Sequence, residues 1–171
     1  MSKQKEILPK VIELISGSDY HCGIILGGSV SNDREHQDSD IDLQIIVQTG
    51  TRIDDYVCIK DGYIIQKELD GVLLDLCYWP VSVLEEGIES SNACKFYLLT
   101  QGKIIYDPKG IAAHWRARIS DYFDKHQEIK ASWERKATEY LDYKKDPNGI
   151  PEPLKWNFFA NELARKIRGT Q

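Results

Sequence analysis

Two short apolar runs, one ending in glycines and the other opening on carboxylates, constrain the fold of this chain more than any other feature. The first run covers residues 23–26 and leads into Gly27-Gly28-Ser29, and ten residues separate Ser29 from Asp40-Ile41-Asp42. The apolar and β-branched residues that follow Asp40 predict a strand that runs to about residue 48. We therefore expect two strands joined by a glycine turn and a polar loop.

Asp40 and Asp42 are expected to share one face of the second strand, because side chains at positions i and i+2 of a strand point the same way. At about 4 Å and an effective dielectric near 20, two carboxylates repel each other by roughly 4 kcal/mol. Proteins tolerate such a pair when it is well solvated, shares a proton or binds a cation. Carboxylates suit Mg²⁺, which binds one or two of them together with substrate phosphates.

The glycine turn has two interpretations. Glycine lets the backbone turn tightly and approach a ligand closely. If a helix begins at Ser29, its free N–H groups and the serine hydroxyl form a site for phosphate. The same residues also make an ordinary strand-to-helix turn, and an isolated Asp-x-Asp pair is often a solvated turn, so neither half decides the function alone.

In combination, the two halves closely resemble the DNA polymerase β-like nucleotidyltransferase superfamily, over roughly residues 20–80. The resemblance rests on Gly28-Ser29, the ten-residue spacing and the string Asp38-Ser39-Asp40-Ile41-Asp42-Leu43. The superfamily adds a third carboxylate, flanked by apolar residues, on a neighbouring strand. Asp75, within Val72-Leu73-Leu74-Asp75-Leu76-Cys77-Tyr78, matches it. A buried Asp bonded to backbone or to an Arg is the alternative, and the first two carboxylates favour the metal site.

The resemblance implies transfer of a nucleoside monophosphate from a nucleoside triphosphate, taken to be ATP, to an acceptor, with release of pyrophosphate. It implies two Mg²⁺ ions about 3.5–4 Å apart, bridged by Asp40 and Asp42. Asp75 would hold the ion at the attacking hydroxyl and accept its proton. Gly28 and Ser29 would hold the β- and γ-phosphates. Such catalysis depends on positioning and charge neutralisation.

The loop between the two motif halves departs from the superfamily. Small members often carry an Arg-Gly-x-Ala-Arg-Pro type segment there, whereas residues 30–37 of this chain contain one Arg and no Gly. The resemblance therefore leaves the fold and contacts of this loop open. None of the four histidines has metal-ligand spacing, and His36, which lies in the loop, is the one that merits a test.

Periodicity predicts an α/β (α+β) fold with a mixed sheet flanked by helices, and the resemblance implies that this sheet is nucleotidyltransferase-like. A first helix ends at Gly17, a strand covers about 22–26, and the hairpin signal Asp70-Gly71 separates strands at about 56–68 and 72–79. Asp61-Gly62 is an alternative turn that would divide the first of these strands. The apolar face of the first helix consists of Ile7, Val11, Leu14 and Ile15.

The second half of the chain reads as mostly helical. Residues 81–100 predict a helix with a weak centre, and residues 103–107 predict a short strand that closes the core. Apolar residues at helical spacing then continue to the end of the chain. We expect a nucleotidyltransferase core at 1–108 and a C-terminal helical unit at 109–171.

Composition limits the class of protein. The net charge of −5 argues against a large nucleic-acid surface. No apolar run is long enough to cross a bilayer, and the first residues lack a signal-peptide core. The four cysteines form no Cys-x-x-Cys pair, which indicates reduced thiols and neither zinc nor disulfides. A cytoplasmic protein without membrane contact is expected. Three basic residues could contact phosphate or be plain surface charges: Lys95, Lys103 and Arg116.

Three functions are consistent with these features. The leading one is nucleotidylation of a small hydroxylated molecule, because size and helical tail resemble the compact antibiotic nucleotidyltransferases that modify aminoglycosides or lincosamides. The second is a minimal nucleotidyltransferase antitoxin that adenylylates a partner toxin protein. The third is a catalytically degenerate nucleotide-binding module.

Overall fold

A mixed five-stranded sheet is the framework of the molecule. The computed structural model describes residues 1–16, 22–53, 56–57, 63–90, 96–132 and 134–135. The strand order in the large sheet is β5-β6-β2-β1-β7, and β3 and β4 form a separate two-stranded pair. In chain order the elements are α1 (Lys3–Ser16), β1 (Cys22–Leu26), α2 (Gly28–Ser31), β2 (Ile41–Val47), β3 (Arg52–Ile53), β4 (Tyr56–Val57), β5 (Tyr63–Leu69), β6 (Val72–Pro80), α3 (Val81–Glu89), α4 (Leu98–Gln101), β7 (Lys103–Tyr106) and α5 (Ile111–Lys125).

The central pair of strands, β2 and β6, runs parallel, whereas the other neighbours in the large sheet are antiparallel. The hairpin from β5 to β6 turns at Asp70 and Gly71, whose φ angles are 51° and 72°. Two successive positive φ angles give a turn whose twist matches the strands, and Asp-Gly is a preferred sequence for it. The predicted hairpin is confirmed, with Leu69 opposite Val72.

The two faces of the sheet are packed differently. Along β6, residues 72, 74, 76, 78 and 80 are buried and the intervening residues are only partly buried or exposed. We call the buried side the α1 face, because α1 lies against it, and the other side the α5 face. The apolar cluster on the α1 face joins Ile7 and Val11 of α1 to Ile41, Leu43 and Ile45 of β2.

The α5 face is covered at one end. Its apolar cluster joins Ile25 and Ile46 of the sheet to α3 and α5, and Trp79 packs against it. At the other end of this face Leu73 is 44 % exposed, and on the edge strand β5 Ile64 is 65 % exposed. A row of partly accessible side chains therefore remains at the end of the sheet where β2 begins.

One prediction about the elements is wrong in detail. Leu14 is 59 % exposed, and Gln4 is buried on the face of α1 that also carries Ile7 and Val11. Within the predicted strand 56–68, Tyr56–Val57 pairs with Arg52–Ile53 in the small sheet and Tyr63–Leu69 pairs with β6 in the large one, while residues 58–62 lie outside the described residues. The turn at Asp61-Gly62 and the helix end at Gly17 lie outside the described residues.

The first helix beyond residue 109 belongs to the core of the sheet. Trp115 and Ile119 of α5 are buried in the same cluster as Ile25 and Ile46. The division of the chain at residue 108 stays a prediction, and residues 136–171 lie outside the described part. Among the helices that are described, none is long and apolar enough to cross a membrane.

The two cysteines in the described residues are free thiols. Cys22 is buried and Cys77 is partly buried. Burial raises the pKa of each thiol to about 11. Cys58 and Cys94 lie outside the described residues.

Replacing Gly71 by alanine should destabilise the protein by about 1–2 kcal/mol, because a side chain makes the left-handed backbone at this position unfavourable. The measurement is urea unfolding at neutral pH. Asp70→Asn is the matched control, because asparagine also accepts positive φ, and it should change the free energy of unfolding by less than about 0.5 kcal/mol. Equal effects of the two substitutions would contradict the turn geometry.

Candidate functional site

Three carboxylates converge at the end of the sheet where β2 begins. The parallel register places Asp42 of β2 directly opposite Asp75 of β6, and Asp40 lies two residues before Asp42. One carboxylate oxygen of each residue lies within 4.8 Å of the others, and all three side chains are partly buried. The structure therefore brings together the three residues predicted from the sequence as metal ligands.

The glycine turn lies against Asp42. The Gly27 N–H donates a hydrogen bond of 2.8 Å to the carbonyl oxygen of Asp42. Gly28 has a φ of +61°, and a Cβ atom at this position would overlap Oδ2 of Asp42. Only glycine meets both requirements, since it accepts positive φ and has no Cβ. Ser29, which is partly buried, follows in the four-residue helix α2.

Asp42 and Asp75 lie in a row that crosses the sheet on the α5 face. Asp42 neighbours Gly27, which follows β1, and Asp75 pairs with Gln66 on β5. These two carboxylates thus have a glycine on one flank and an amide on the other.

Gln66 is a site residue that motif reasoning missed. Its Nε2 donates a hydrogen bond of 2.8 Å to Oδ1 of Asp75 and so fixes the orientation of that carboxylate. A sequence signal for it existed. A two-residue turn at Asp70-Gly71 sets Leu69 opposite Val72, and counting back from that pair places Gln66 opposite Asp75.

The loop between α2 and β2 is fastened to the start of α1. Lys5 Nζ lies 2.7 Å from Oδ1 of Asp33 and 2.8 Å from Oε1 of Glu35. The hydroxyl of Ser2 donates a hydrogen bond of 2.7 Å to the same Glu35 oxygen. The hydrogen bonds from Lys5 and then Ser2 lower the pKa of Glu35 to about 2. His36 has an exposed side chain, whereas its backbone takes part in the closure of the loop.

The basic residues considered as phosphate contacts have other positions. Lys103 Nζ lies 3.5 Å from Asp33 Oδ2, on the rim of the same loop. Arg116 is partly buried, and it donates hydrogen bonds to the carbonyl oxygens of Leu99 (3.1 Å) and Gly102 (2.7 Å). The description of Arg116 as a plain surface charge is therefore wrong, because it holds the turn from α4 to β7. Lys95 lies outside the described residues.

The donor set at the carboxylates fits a hard divalent cation. Three carboxylates supply only oxygen ligands, which are the ligands that Mg²⁺ and Ca²⁺ prefer. Like charges at this separation repel, and a cation between them offsets the repulsion. The absence of a side chain at Gly28 leaves room for Oδ2 of Asp42, because a Cβ atom there would overlap this oxygen.

Comparison with known proteins adds a distant likeness to solved structures. No family model and no curated protein matches the chain. Among solved structures, the chain is similar to the nucleotidyltransferase-like protein from Exiguobacterium sibiricum 255-15, with 15% sequence identity and a TM-score of 0.48. The match covers 68% of this chain and 38% of that one. Values this low establish neither a shared activity nor membership of a family.

Replacing Gly28 by alanine should weaken binding of Mn²⁺, measured by titration calorimetry, by roughly 10-fold or more, because the new Cβ displaces Asp42 Oδ2. Gly110→Ala is the matched control. Gly110 has a φ of +70°, and no atom lies within 4 Å of the point that its Cβ would occupy, so it carries the same backbone cost without the collision. Equal Mn²⁺ affinities for the two variants would show that the contact with Asp42 is unimportant.

Glu35→Gln tests the ion pair and hydrogen bond that join Glu35 to Lys5 and Ser2. The folded pKa of Glu35, about 2, is below its ordinary value of 4.5, so its stabilisation is present above about pH 4.5 and is lost as the pH falls toward 2. The wild type should therefore unfold at higher urea than Glu35→Gln at pH 7, and the difference should shrink between pH 4.5 and 3. A difference that does not depend on pH would mean that Glu35 acts through shape alone.

Proposed function

We propose that this protein is a divalent-cation-dependent nucleotidyltransferase that moves a nucleoside monophosphate from a nucleoside triphosphate to a hydroxyl group of a small molecule. The observation that carries the proposal is the convergence of Asp42 and Asp75, from two adjacent parallel strands, with Asp40, which precedes the first of them, beside the Gly27-Gly28 turn. The motif that resembles the DNA polymerase β-like superfamily contains Gly28, Asp40 and Asp42, and Asp75 matches the third carboxylate of that superfamily.

Asp40, Asp42 and Asp75 would hold the Mg²⁺, and their oxygens are close enough to act on one centre. When bound, Mg²⁺ neutralises the negative charge of the phosphate oxygens and of the attacking and leaving oxygens. The protein's own contribution is then largely to position the two substrates, because phosphoryl transfer of this type requires little covalent chemistry from side chains.

Asp75 would accept the proton of the attacking hydroxyl. The hydroxyl oxygen forms a bond to the α-phosphorus while the bond to the bridging oxygen breaks, and pyrophosphate leaves with that electron pair. Oδ1 of Asp75 accepts the hydrogen bond from Gln66, which restrains the rotation of this carboxylate. Gln66 would thus act as a positioning residue that determines which oxygen of Asp75 faces the acceptor.

Gly28 and Ser29 would bind the β- and γ-phosphates. The Gly27 N–H already donates to the carbonyl oxygen of Asp42, so the phosphates would accept hydrogen bonds from the N–H groups that follow Gly27 in the turn. These belong to Gly28 and Ser29 in the first turn of α2, where backbone N–H groups have no partner inside the helix. The substrate would therefore bridge the glycine turn and the carboxylates.

The acceptor would lie over β5 and β6, on the side of Asp75 away from the glycines. Exposed side chains there combine apolar contact from Ile64 and Leu73 with the carboxylate of Glu68. Such a surface suits an amphiphilic molecule that carries hydroxyl and ammonium groups, which supports an aminoglycoside-like or lincosamide-like acceptor. A toxin protein as acceptor and a module without turnover remain the alternatives that an assay separates.

The direct test is incubation with labelled ATP, Mg²⁺ and a panel of aminoglycosides and lincosamides, followed by detection of a nucleotidylated product and pyrophosphate. If no product forms, thermal stabilisation by ATP with Mg²⁺ distinguishes a nucleotide-binding module from a protein that does not bind the nucleotide. A ligand at about 100 times its dissociation constant stabilises by roughly 2.7 kcal/mol. Stabilisation without turnover on any acceptor would favour the binding module. The absence of both stabilisation and turnover would overturn the proposal.

Asp42→Asn should lower the turnover rate by at least about 100-fold, because several kcal/mol of charge stabilisation depend on this carboxylate. The variant should keep its fold, since an amide has nearly the same shape. Asp38→Asn is the matched control. Asp38 lies in the same motif, is exposed and does not belong to the carboxylate cluster, so its substitution should leave turnover near the wild-type rate. Near wild-type turnover of Asp42→Asn would exclude the assigned role.

A further inference from the structure

Asp40 is held differently from the other two carboxylates. Asp42 and Asp75 are register partners within the sheet, so the hydrogen-bonded ladder fixes their backbones. Asp40 precedes β2, which begins at Ile41, and its position depends on the loop that leads to it. The contact that fixes the end of that loop therefore also decides where Asp40 lies.

Gln4 makes this contact. It lies in the first turn of α1, and only 1 % of its surface is exposed. Its Nε2 donates hydrogen bonds to three carbonyl oxygens of the loop, those of His36 (3.1 Å), Gln37 (3.1 Å) and Ser39 (2.9 Å). An amide has two N–H bonds, so at least one of them is shared between two acceptors.

The bond to Ser39 acts directly on Asp40. The carbonyl of Ser39 and the N–H and Cα of Asp40 belong to one planar peptide unit. A donor that fixes the Ser39 oxygen therefore restrains the orientation of this unit and the place from which the Asp40 side chain starts. The loop end is also closed locally, because the Ser39 N–H donates to the His36 oxygen (3.0 Å) and the His36 N–H donates to the Ser39 hydroxyl (2.9 Å).

We propose that Gln4 is a positioning residue for the cation site, which acts through the Ser39–Asp40 peptide to place the Asp40 carboxylate beside Asp42 and Asp75. This inference rests on the proposed function, since it assigns Gln4 a role in the affinity of the same site. Lys5 and Ser2 hold the other end of the loop through Glu35, whereas Gln4 reaches the peptide that adjoins Asp40.

A purely structural role for Gln4 would lower stability without any selective effect on the site. The two roles separate when Gln4→Met is compared with Val11→Ala. Methionine keeps the length of the side chain and removes the donor. Val11 is fully buried on the same face of α1, and it does not contact the loop through hydrogen bonds, so its truncation destabilises α1 without a direct effect on Asp40.

The experiment measures three quantities on the full chain: the urea midpoint, the dissociation constant of Mn²⁺ alone by titration calorimetry, and amide hydrogen exchange of residues 36–40 without added cation. We expect Gln4→Met to raise the Mn²⁺ dissociation constant by roughly 10-fold and to speed exchange at residues 36–40. Val11→Ala should leave the Mn²⁺ dissociation constant and the exchange rates of residues 36–40 close to those of the wild type, even if its urea midpoint is as low as that of Gln4→Met. Gln4→Glu, which keeps the shape and loses the donors, should behave like Gln4→Met.

The outcomes distinguish this inference from the proposed function. If the wild type binds Mn²⁺ and both Gln4 variants bind it equally well, the role of Gln4 is wrong and the proposed function stands. The same conclusion follows if Val11→Ala loses as much affinity as Gln4→Met at equal stability. If the wild type itself binds neither Mn²⁺ nor a nucleoside triphosphate, the proposed function fails, and the role of Gln4 fails with it.

Discussion

The parallel pairing of β2 with β6 is the interaction on which the rest of the structure depends. It sets Asp42 opposite Asp75, and in the same register it joins Leu43 to Leu76 and Ile41 to Leu74 in the buried layer under α1. Because side chains alternate along a strand, a shift by one residue would turn the carboxylates into that apolar layer. The burial that stabilises one face therefore also specifies which residues are presented on the other.

The sheet separates stability from chemistry by its two faces. On the α1 face, apolar side chains from β1, β2 and β6 pack without interruption against α1. On the α5 face, α3 and α5 bury Ile25 and Ile46 and leave the far end to Asp42, Asp75 and Gln66. Carboxylates that are close together destabilise a fold unless water, a proton or a cation offsets their charge. The fold tolerates them because the opposite face supplies the apolar burial.

The family resemblance and local sequence rules together predicted the parts of the site that a strand or a tight turn determines. Asp75 was identified because a carboxylate inside an apolar strand matched the third carboxylate of the superfamily, and Asp70-Gly71 set the hairpin that contains it. The position of Gln66 opposite Asp75 could have been predicted by counting residues back from the same turn. Gln4 could not, because its partners lie 32 to 35 residues away and are backbone carbonyls, which leave no trace in side-chain patterns. Leu14 was misplaced because helical spacing alone allows several adjacent faces, and tertiary packing selects one.

The strand boundary at Ile41 has a mechanical consequence. Two of the three acidic groups belong to the stiff centre of a sheet, and the third is attached to it through a loop whose end is tied to α1 by a single amide. When like charges repel, displacement occurs where the restoring force is smallest, and here that is the peptide before Asp40. A change in the charge between the acidic groups should therefore displace the peptide that precedes Asp40, and the strands need not deform.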